Sequence, residues 1–341
     1  MVTDGLLCES VGKVIAKSGS GRNGGSQPGR AGLHSVMALI DLHTHSTASD
    51  GSLFPSQLVA LAAQKGLAAL ALTDHDTLDG LAEARTAGRV HGLEIIAGVE
   101  LSVADGDRGV HILGLFLPDR PGRLADALAY LRDRRHNRNR LILDKLREQG
   151  VPLDYDAVTA LAKGAVGRPH IAQALVAMGA VTSFKEAFTR YLGAHGRAYV
   201  PKDKLSLADA FSLLHAEGAL TVLAHPYILG LAGPALAETV GRYRDAGLDA
   251  IEALYTEHSQ AQTLEYLALA RRFGLAVSGG SDFHGAAKPE VELGRGRGNL
   301  RVDITLLDVL KARLARRPAP AGPAGQADSG EKGLDQPPIP V

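Results

Sequence analysis

Short apolar runs alternate with helical patterns along this chain, and most of the runs end in a histidine or a carboxylate. That arrangement restricts the fold more than any other feature. The runs 38–42, 68–73, 94–100, 110–116, 220–224, 250–254 and 275–278 have the length and composition of buried strands. Helical patterns at 55–65, 78–90, 235–245 and 259–273 lie between most of them. Buried strands alternating with helices predict an α/β fold with a parallel sheet or barrel. Seven strands predict a barrel one short of the usual eight.

Residues 119–204 break the rhythm with helices only, at 123–149, 155–162, 169–178 and 184–191. This segment reads as an all-helical insertion domain, leaving 37–118 and 205–316 for the barrel. The glycine- and serine-rich stretch within residues 1–36 and the proline-, glycine- and alanine-rich residues 317–341 read as disordered ends. Met37, directly before the first strand, is a candidate start.

Histidine contributes little to packing, yet the chain has 13 of them, with no tryptophan and only 4% aromatic residues. The first strand runs into Asp41-Leu42-His43-Thr44-His45, followed by Asp50. The second ends in Thr73-Asp74-His75-Asp76, the third in Gly98-Val99-Glu100, and the fourth carries His111. The fifth ends in Ala224-His225-Pro226 and the seventh in Gly280-Ser281-Asp282-Phe283-His284. Side chains at the carboxyl ends of barrel strands converge on one face. Residues i and i+2 of a strand point the same way, so His43 and His45 can chelate one ion, as can Asp282 and His284 if that segment stays extended. Imidazole and carboxylate together suit Mn, Fe, Zn or Ni. Asp41 and Asp74 are either acceptors that fix histidine tautomers or caps of the strand ends. His136, His195, His215 and His258 fit no ligand position, and His34 and His91 read as surface residues.

These motifs, in this order, closely resemble the PHP (polymerase and histidinol phosphatase) family over about 38–116 and 215–300. The resemblance implies a distorted seven-stranded β/α barrel with a trinuclear metal centre on its carboxyl face. By position, it implies that His43, His45, Glu100 and Asp282 hold one ion. A second would sit on Glu100, His111 and His225, with Glu100 bridging, and a third on Asp50, His75 and His284. Three divalent ions per chain are therefore expected, manganese first, with iron or zinc as alternatives. Every ligand position of the pattern is filled, which argues against an inactive domain.

The insertion carries five arginines within residues 132–140, and helical spacing puts Arg135, Arg138, Asn139 and Ile142 on one side. Gly167-Arg168-Pro169-His170 places proline at a helix start, whose free N–H groups suit an anion. One reading is a solvated basic face. The other is a phosphate clamp of Arg135, Arg138, Asn139, Arg168 and His170, with Gly196-Arg197-Ala198-Tyr199 a weaker candidate. Within the family, this insertion resembles that of stand-alone phosphatases of nucleoside 3′,5′-bisphosphates, with related 5′-to-3′ exonuclease action on short RNA.

The resemblance thus implies a metal-dependent phosphoesterase that uses a metal-bound hydroxide and needs no side-chain nucleophile. No Walker motif or catalytic serine or cysteine signature is present, and Gly294–Gly298 lacks the strand-to-helix setting of a dinucleotide fingerprint. Histidinol-phosphate phosphatase and a non-enzymatic metal- or partner-binding module are the alternatives. An amidohydrolase-like deaminase is disfavoured by the lack of a lysine to bridge metals. Thirty-seven basic and 37 acidic residues cancel, so no global field favours long duplex nucleic acid or a membrane. No run of 18 apolar residues exists. The single cysteine, Cys8, excludes an internal disulfide framework and makes the cytoplasm the default location. A small nucleotide or short RNA is the expected partner, with no obligate protein partner evident.

Overall fold

The computed structural model describes residues 38–161 and 166–317. The expectations for residues 1–36, Met37, Ala162 and 318–341 fall outside these. Uninterrupted apolar runs form the sheet: β1 (Ile40–Asp41), β2 (Ala69–Leu72), β3 (Glu94–Asp105), β4 (Arg108–Leu115), β5 (Leu205–Ser206), β6 (Leu220–Leu223), β7 (Ala250–Tyr255) and β8 (Ala276–Gly280). Seven strands follow the order β1-β2-β3-β4-β6-β7-β8, and β5 pairs with the outer half of β3. Hydrogen bonds from Leu42 to Gly279 and from Asp282 to His43 bring β1 against β8, so the sheet curls into a nearly closed barrel. A Cβ on Gly280 would collide with His43, so this position admits only glycine.

The sheet is not all parallel. β4 runs antiparallel to both β3 and β6. Only Gly106 and Asp107 separate the paired residues Asp105 and Arg108, and so short a connection forces the chain straight back. Gly106 supplies the positive φ that the turn needs, +59°. β3 accordingly continues to Asp105, five residues beyond the strand expected from the sequence.

Helices α1 (Pro55–Gln64) and α2 (Leu81–His91) cover the first strands, burying Leu58, Val59 and Ala62, and Leu81, Ala84 and Ala87. The insertion comprises α3 (Gly122–Glu148), α4 (Tyr155–Thr159), α5 (Arg168–Ala177) and α6 (Phe184–Ala187), the last running into a π-turn at Phe188–Leu192. Helices α7 (Leu207–Ala216), α8 (Gly233–Ala246), α9 (Gln260–Phe273) and α10 (Ile304–Ala315) complete the outer layer; α7 and α10 were not among the expected helices. None of the described helices is long and apolar enough to cross a membrane.

Two apolar cores result. The barrel core includes Ile40, Leu70, Leu101, Ile112, Val222 and Ile251, and the insertion has its own around Ile142, Leu146, Ile171, Leu175 and Leu192. Full burial of each such side chain is worth roughly 1.5–3 kcal/mol. α3 belongs to both, with Leu124 and Leu128 in the first core and Ile142, Leu143 and Leu146 in the second. Because β4 descends, α3 starts at the amino end of the barrel, where the Leu124 amide donates to Glu217. It climbs the wall until Arg135 reaches Asp76 at the carboxyl face, a rise of about 16 Å at 1.5 Å per residue. Arg317, expected to begin the tail, instead donates to Asp249 and to the Ala219 carbonyl beneath the barrel.

Candidate metal centre

Glu100, in the middle of β3, is fully buried in the mouth of the barrel. Its Oε2 lies 3.0 Å from His43 Nε2, 3.1 Å from His45 Nε2 and 3.3 Å from His75 Nδ1. Its Oε1 lies 2.7 Å from His111 Nδ1 and 2.9 Å from His225 Nε2. Asp282 Oδ1 approaches His45 Nε2 at 3.2 Å and His43 Nε2 at 3.6 Å. Asp50, on the loop after β1, comes within 3.2 Å of His284 Nε2 and 3.9 Å of His75 Nε2. All nine sequence-predicted ligands therefore meet.

They fall into three overlapping groups whose ligand atoms lie within 4.8 Å of one another: His43, His45, Glu100 and Asp282; His45, Asp50, His75 and His284; and His75, Glu100 and His111. His45, His75 and Glu100 are thus each shared between two groups, and His225 Nε2 also reaches Glu100.

The backbone bends to achieve this. Asp282, His225 and Asp76 adopt positive φ values of 56°, 27° and 50°. Such conformations cost non-glycine residues about 1–3 kcal/mol and persist only where the surroundings fix them. Here the Asp282 amide donates to the His43 carbonyl at 2.9 Å, and the His225 amide to Glu252 Oε2 at 2.7 Å. Asp282 therefore leaves the extended conformation expected for the 282–284 segment, although Phe283 still bridges Thr44. The bend still serves, because His284 Nδ1 bonds the Asp282 carbonyl at 2.8 Å and leaves Nε2 facing Asp50.

Among the described residues, neither Asp41 nor Asp74 pairs with a histidine ring. Asp41 accepts from Ser281 and from the amides of His43 and Gly294, and Asp74 from Ser46 and Ser49, so both tie loops at the strand ends. The ring of His43 is instead oriented by Glu252 of β7, fully buried and 3.0 Å from Nδ1. Asp282 Oδ2 is likewise held by Tyr255 Oη at 2.8 Å and Lys288 Nζ at 2.6 Å. Sequence reading missed these three. Glu252 alone left a signal, as a lone acid within the apolar run Ala250-Ile251-Glu252-Ala253-Leu254.

Burial and charge compete throughout the site. Burial disfavours protonated His43, but Glu252, Glu100 and Asp282 outweigh it and hold the ring well above its usual value. The same contest, won by Asp282 and Glu100, pushes His45 up to about 10. Burial pulls His75 down to about 4, against the attraction of Glu100. Glu100, Asp282 and Asp50 would be raised by burial, yet the imidazoles around them keep all three low.

The residues fit divalent ions. Both ring nitrogens of buried His45, and Nδ1 of His75, His111 and His225, have no hydrogen-bond partner among the described residues. The carboxylate oxygens stand near some of them without hydrogen-bond alignment. A buried polar atom left unpaired costs roughly 1–3 kcal/mol. Imidazole and carboxylate donors converging from separate strands meet that cost when they share cations, with outer carboxylates such as Glu252 fixing the rings.

The insertion brings its arginines close by. Arg135 Nη2 donates to buried Asp76 at 3.0 Å, beside Lys202 Nζ at 2.7 Å, pinning α3 and the returning chain next to His75. Arg138 is only 6% exposed; its Nε donates to the Val200 carbonyl, while Nη2 has no partner among the described residues. Burial and the like charges of Arg168 and Arg135 pull it down to about 10. Asn139 is fully buried and donates to the Val166 carbonyl, with Oδ1 unpaired among the described residues. Arg168 Nη1 donates to the Leu192 carbonyl, and His170 Nδ1 accepts from the Gly167 amide, closing part of the α5 start against an anion. Burial pulls His170 down, opposed by Asp50. Of the remaining histidines, His258 is buried among Tyr227, Tyr255 and Tyr266, and His91 is exposed.

Residues 41–199 match the family model described as PHP domain. The chain is 38% identical to a 5′-3′ exoribonuclease of Haemophilus influenzae over 72% of this chain and 89% of the relative. It is 35% identical to a 3′,5′-nucleoside bisphosphate phosphatase of Chromobacterium violaceum over 73% of this chain and 88% of the relative. Among solved structures, a protein of Bifidobacterium adolescentis assigned as a metal-dependent phosphoesterase superposes with a TM-score of 0.69 at 30% identity, covering 80% of this chain and 96% of its own. Agreement between the barrel, its cluster of histidine and carboxylate side chains able to hold metal, and relatives matched along nearly their whole length shows that the chain belongs to the PHP domain family and is a metal-dependent phosphoesterase.

Proposed function

We propose that this enzyme hydrolyses phosphate esters of nucleotides, namely nucleoside 3′,5′-bisphosphates and 5′-phosphorylated short RNA. His43, His45, Glu100 and Asp282 would hold one divalent ion, Glu100, His111 and His225 a second, and Asp50, His75 and His284 a third. Manganese is our first choice, with iron or zinc as alternatives, and mixed imidazole and carboxylate donors can accept all three. Bound there, such ions supply Lewis acidity toward phosphoryl oxygens and activation of water. The chain's own residues do the rest. Glu252 orients His43, Tyr255 and Lys288 fix Asp282, and Arg135 and Lys202 tie the insertion to Asp76 beside His75. The 119–204 segment then acts as a substrate cap on the barrel of 37–118 and 205–316.

One observation carries the nucleotide reading. Arg138 is a buried guanidinium that makes no ion pair among the described residues, near Arg168 and one turn along α3 from Arg135, which holds Asp76 next to His75. An uncompensated buried cation is unfavourable unless an anion completes it. A second phosphate on the substrate does so, with Arg168 and His170 alongside. Relatives named as an exoribonuclease and as a bisphosphate phosphatase support both substrate types. The test is phosphate release, with added Mn, from adenosine 3′,5′-bisphosphate, 5′-AMP, histidinol phosphate and a short 5′-phosphorylated RNA. The bisphosphate and the RNA should be preferred over the other two. Equal or greater turnover of histidinol phosphate would contradict the proposal.

A further inference from the structure

A second feature of the carboxyl face involves none of the predicted ligands, although Arg135 of the insertion lines it. A groove of about 730 Å³ runs between α3 and the starts of α1 and α2, within the 300–1,000 Å³ typical of small-molecule sites. Two of its wall residues adjoin predicted ligands in the chain. Ala48 on its wall lies two residues before Asp50, and Asp76 directly follows His75. Phe54 also lines it, with 51% of its surface exposed at the point where α1 begins. Leu78 and Ala129 add apolar wall.

The charge of the groove tells what part of a nucleotide it suits. Asp76, Asp79, Glu83 and Asp126 line it together with Arg132, Arg135 and His136; Arg135 pairs with Asp76 at 3.0 Å, and Arg132 is drawn to Asp79 across the groove at 3.6 Å. That pair is exposed on both sides, so it opens at little cost. With both pairs formed, Glu83 and Asp126 leave the wall net negative and disfavour phosphate, whereas Arg138 and Arg168 of the insertion attract it. An uncharged, flat ring with amino groups to donate suits the groove: its face meets Phe54 and its edge meets carboxylate acceptors.

We infer that this groove holds the nucleobase of the substrate, with Phe54 as its stacking platform. The inference rests on the nucleotide reading above and adds the residue that would make the enzyme sense a base. Phosphate groups would then be divided from the base by charge, anions toward Arg138 and Arg168, the ring toward Phe54.

The chain has no tryptophan, so Phe54→Trp would place a single reporter in the groove. Titration with 5′-AMP should quench its emission, whereas ribose 5-phosphate and inorganic phosphate should not. In parallel, Phe54→Ala should lower the ratio of kcat/KM for a 5′-phosphorylated RNA with a normal first residue to that for one with an abasic first residue. Loss of stacking predicts a fall of roughly five- to twenty-fold, the lower part of the range for a base on an aromatic ring, because Phe54 is half exposed. Phe54→Trp should keep the ratio. Absence of quenching by 5′-AMP, or an unchanged ratio in Phe54→Ala, would overturn the inference while leaving the nucleotide reading intact. A wild type that hydrolyses p-nitrophenyl phosphate but no nucleotide or RNA would overturn both.

Discussion

Glu252 Oε1 stands 3.0 Å from His43 Nδ1, and the opposite nitrogen of the same ring stands 3.0 Å from Glu100 Oε2. The ring is thereby fixed between two fully buried carboxylates, one within the ligand cluster and one outside it. A carboxylate behind a histidine sets the tautomer and strengthens the ring as a donor. Glu252 also accepts from the His225 amide, so it positions two predicted ligands at once.

Glu252→Gln should therefore weaken metal binding by roughly ten- to a hundred-fold. The amide keeps the shape and can still accept from the His225 N–H, so far-UV circular dichroism should be unchanged. Metal content after dialysis against graded chelator is the measurement. Unchanged retention would reduce Glu252 to a packing residue.

Arg138→Met should separate binding from stability. Methionine fills similar space without a buried charge, and removing an uncompensated ion is neutral or stabilising. Tm should stay level or rise, even though methionine cannot donate to the Val200 carbonyl as Arg138 does. The ratio of kcat/KM for a nucleoside 3′,5′-bisphosphate to that for 5′-AMP should fall by roughly ten-fold or more. A marked drop in Tm with an unchanged ratio would make Arg138 structural.

At the opposite end of the barrel, Asp249 should contribute pH-dependent stability. Burial would raise its carboxyl, but His215, the Thr221 amide and Arg317 bring it below the usual value. Its folded value is depressed, so the contribution is fully present above the unfolded value of about 3.9. It is lost as pH falls through the lower folded value. Asp249→Asn should cost about 1–3 kcal/mol at neutral pH, from the weakened hydrogen bonds to Thr221 and Arg317. Urea denaturation of both proteins at about pH 7 and about pH 3 checks this, and the gap should narrow at the lower pH.

Much of this molecule was legible because its chemistry sits at strand ends. His43, His45, His75, Glu100, His225, Asp282 and His284 follow or close apolar runs, and those runs form the inner sheet. The β3–β4 hairpin was less visible. Asp105-Gly106-Asp107 is a recognisable turn, but its consequence, a descending β4 that sends α3 up the outside wall, is a property of the whole sheet. Arg135 and Asp76 illustrate the same limit. Both lay in highlighted segments, yet their 3.0 Å pairing joins residues 59 positions apart. Lys288 left no trace, since a lysine in a loop looks the same whether it faces water or Asp282.

The central claim is that Glu100 organises a centre of several ions that hydrolyses a nucleotide phosphate ester. The direct measurement counts metal per chain and phosphate released from adenosine 3′,5′-bisphosphate on the same samples of wild type and Glu100→Gln. The wild type should carry three ions per chain, and at least more than one, when fully active. Glu100→Gln should lose ions and activity together while keeping its secondary structure. Full activity with one ion or none per chain, or an active Glu100→Gln, would contradict the account.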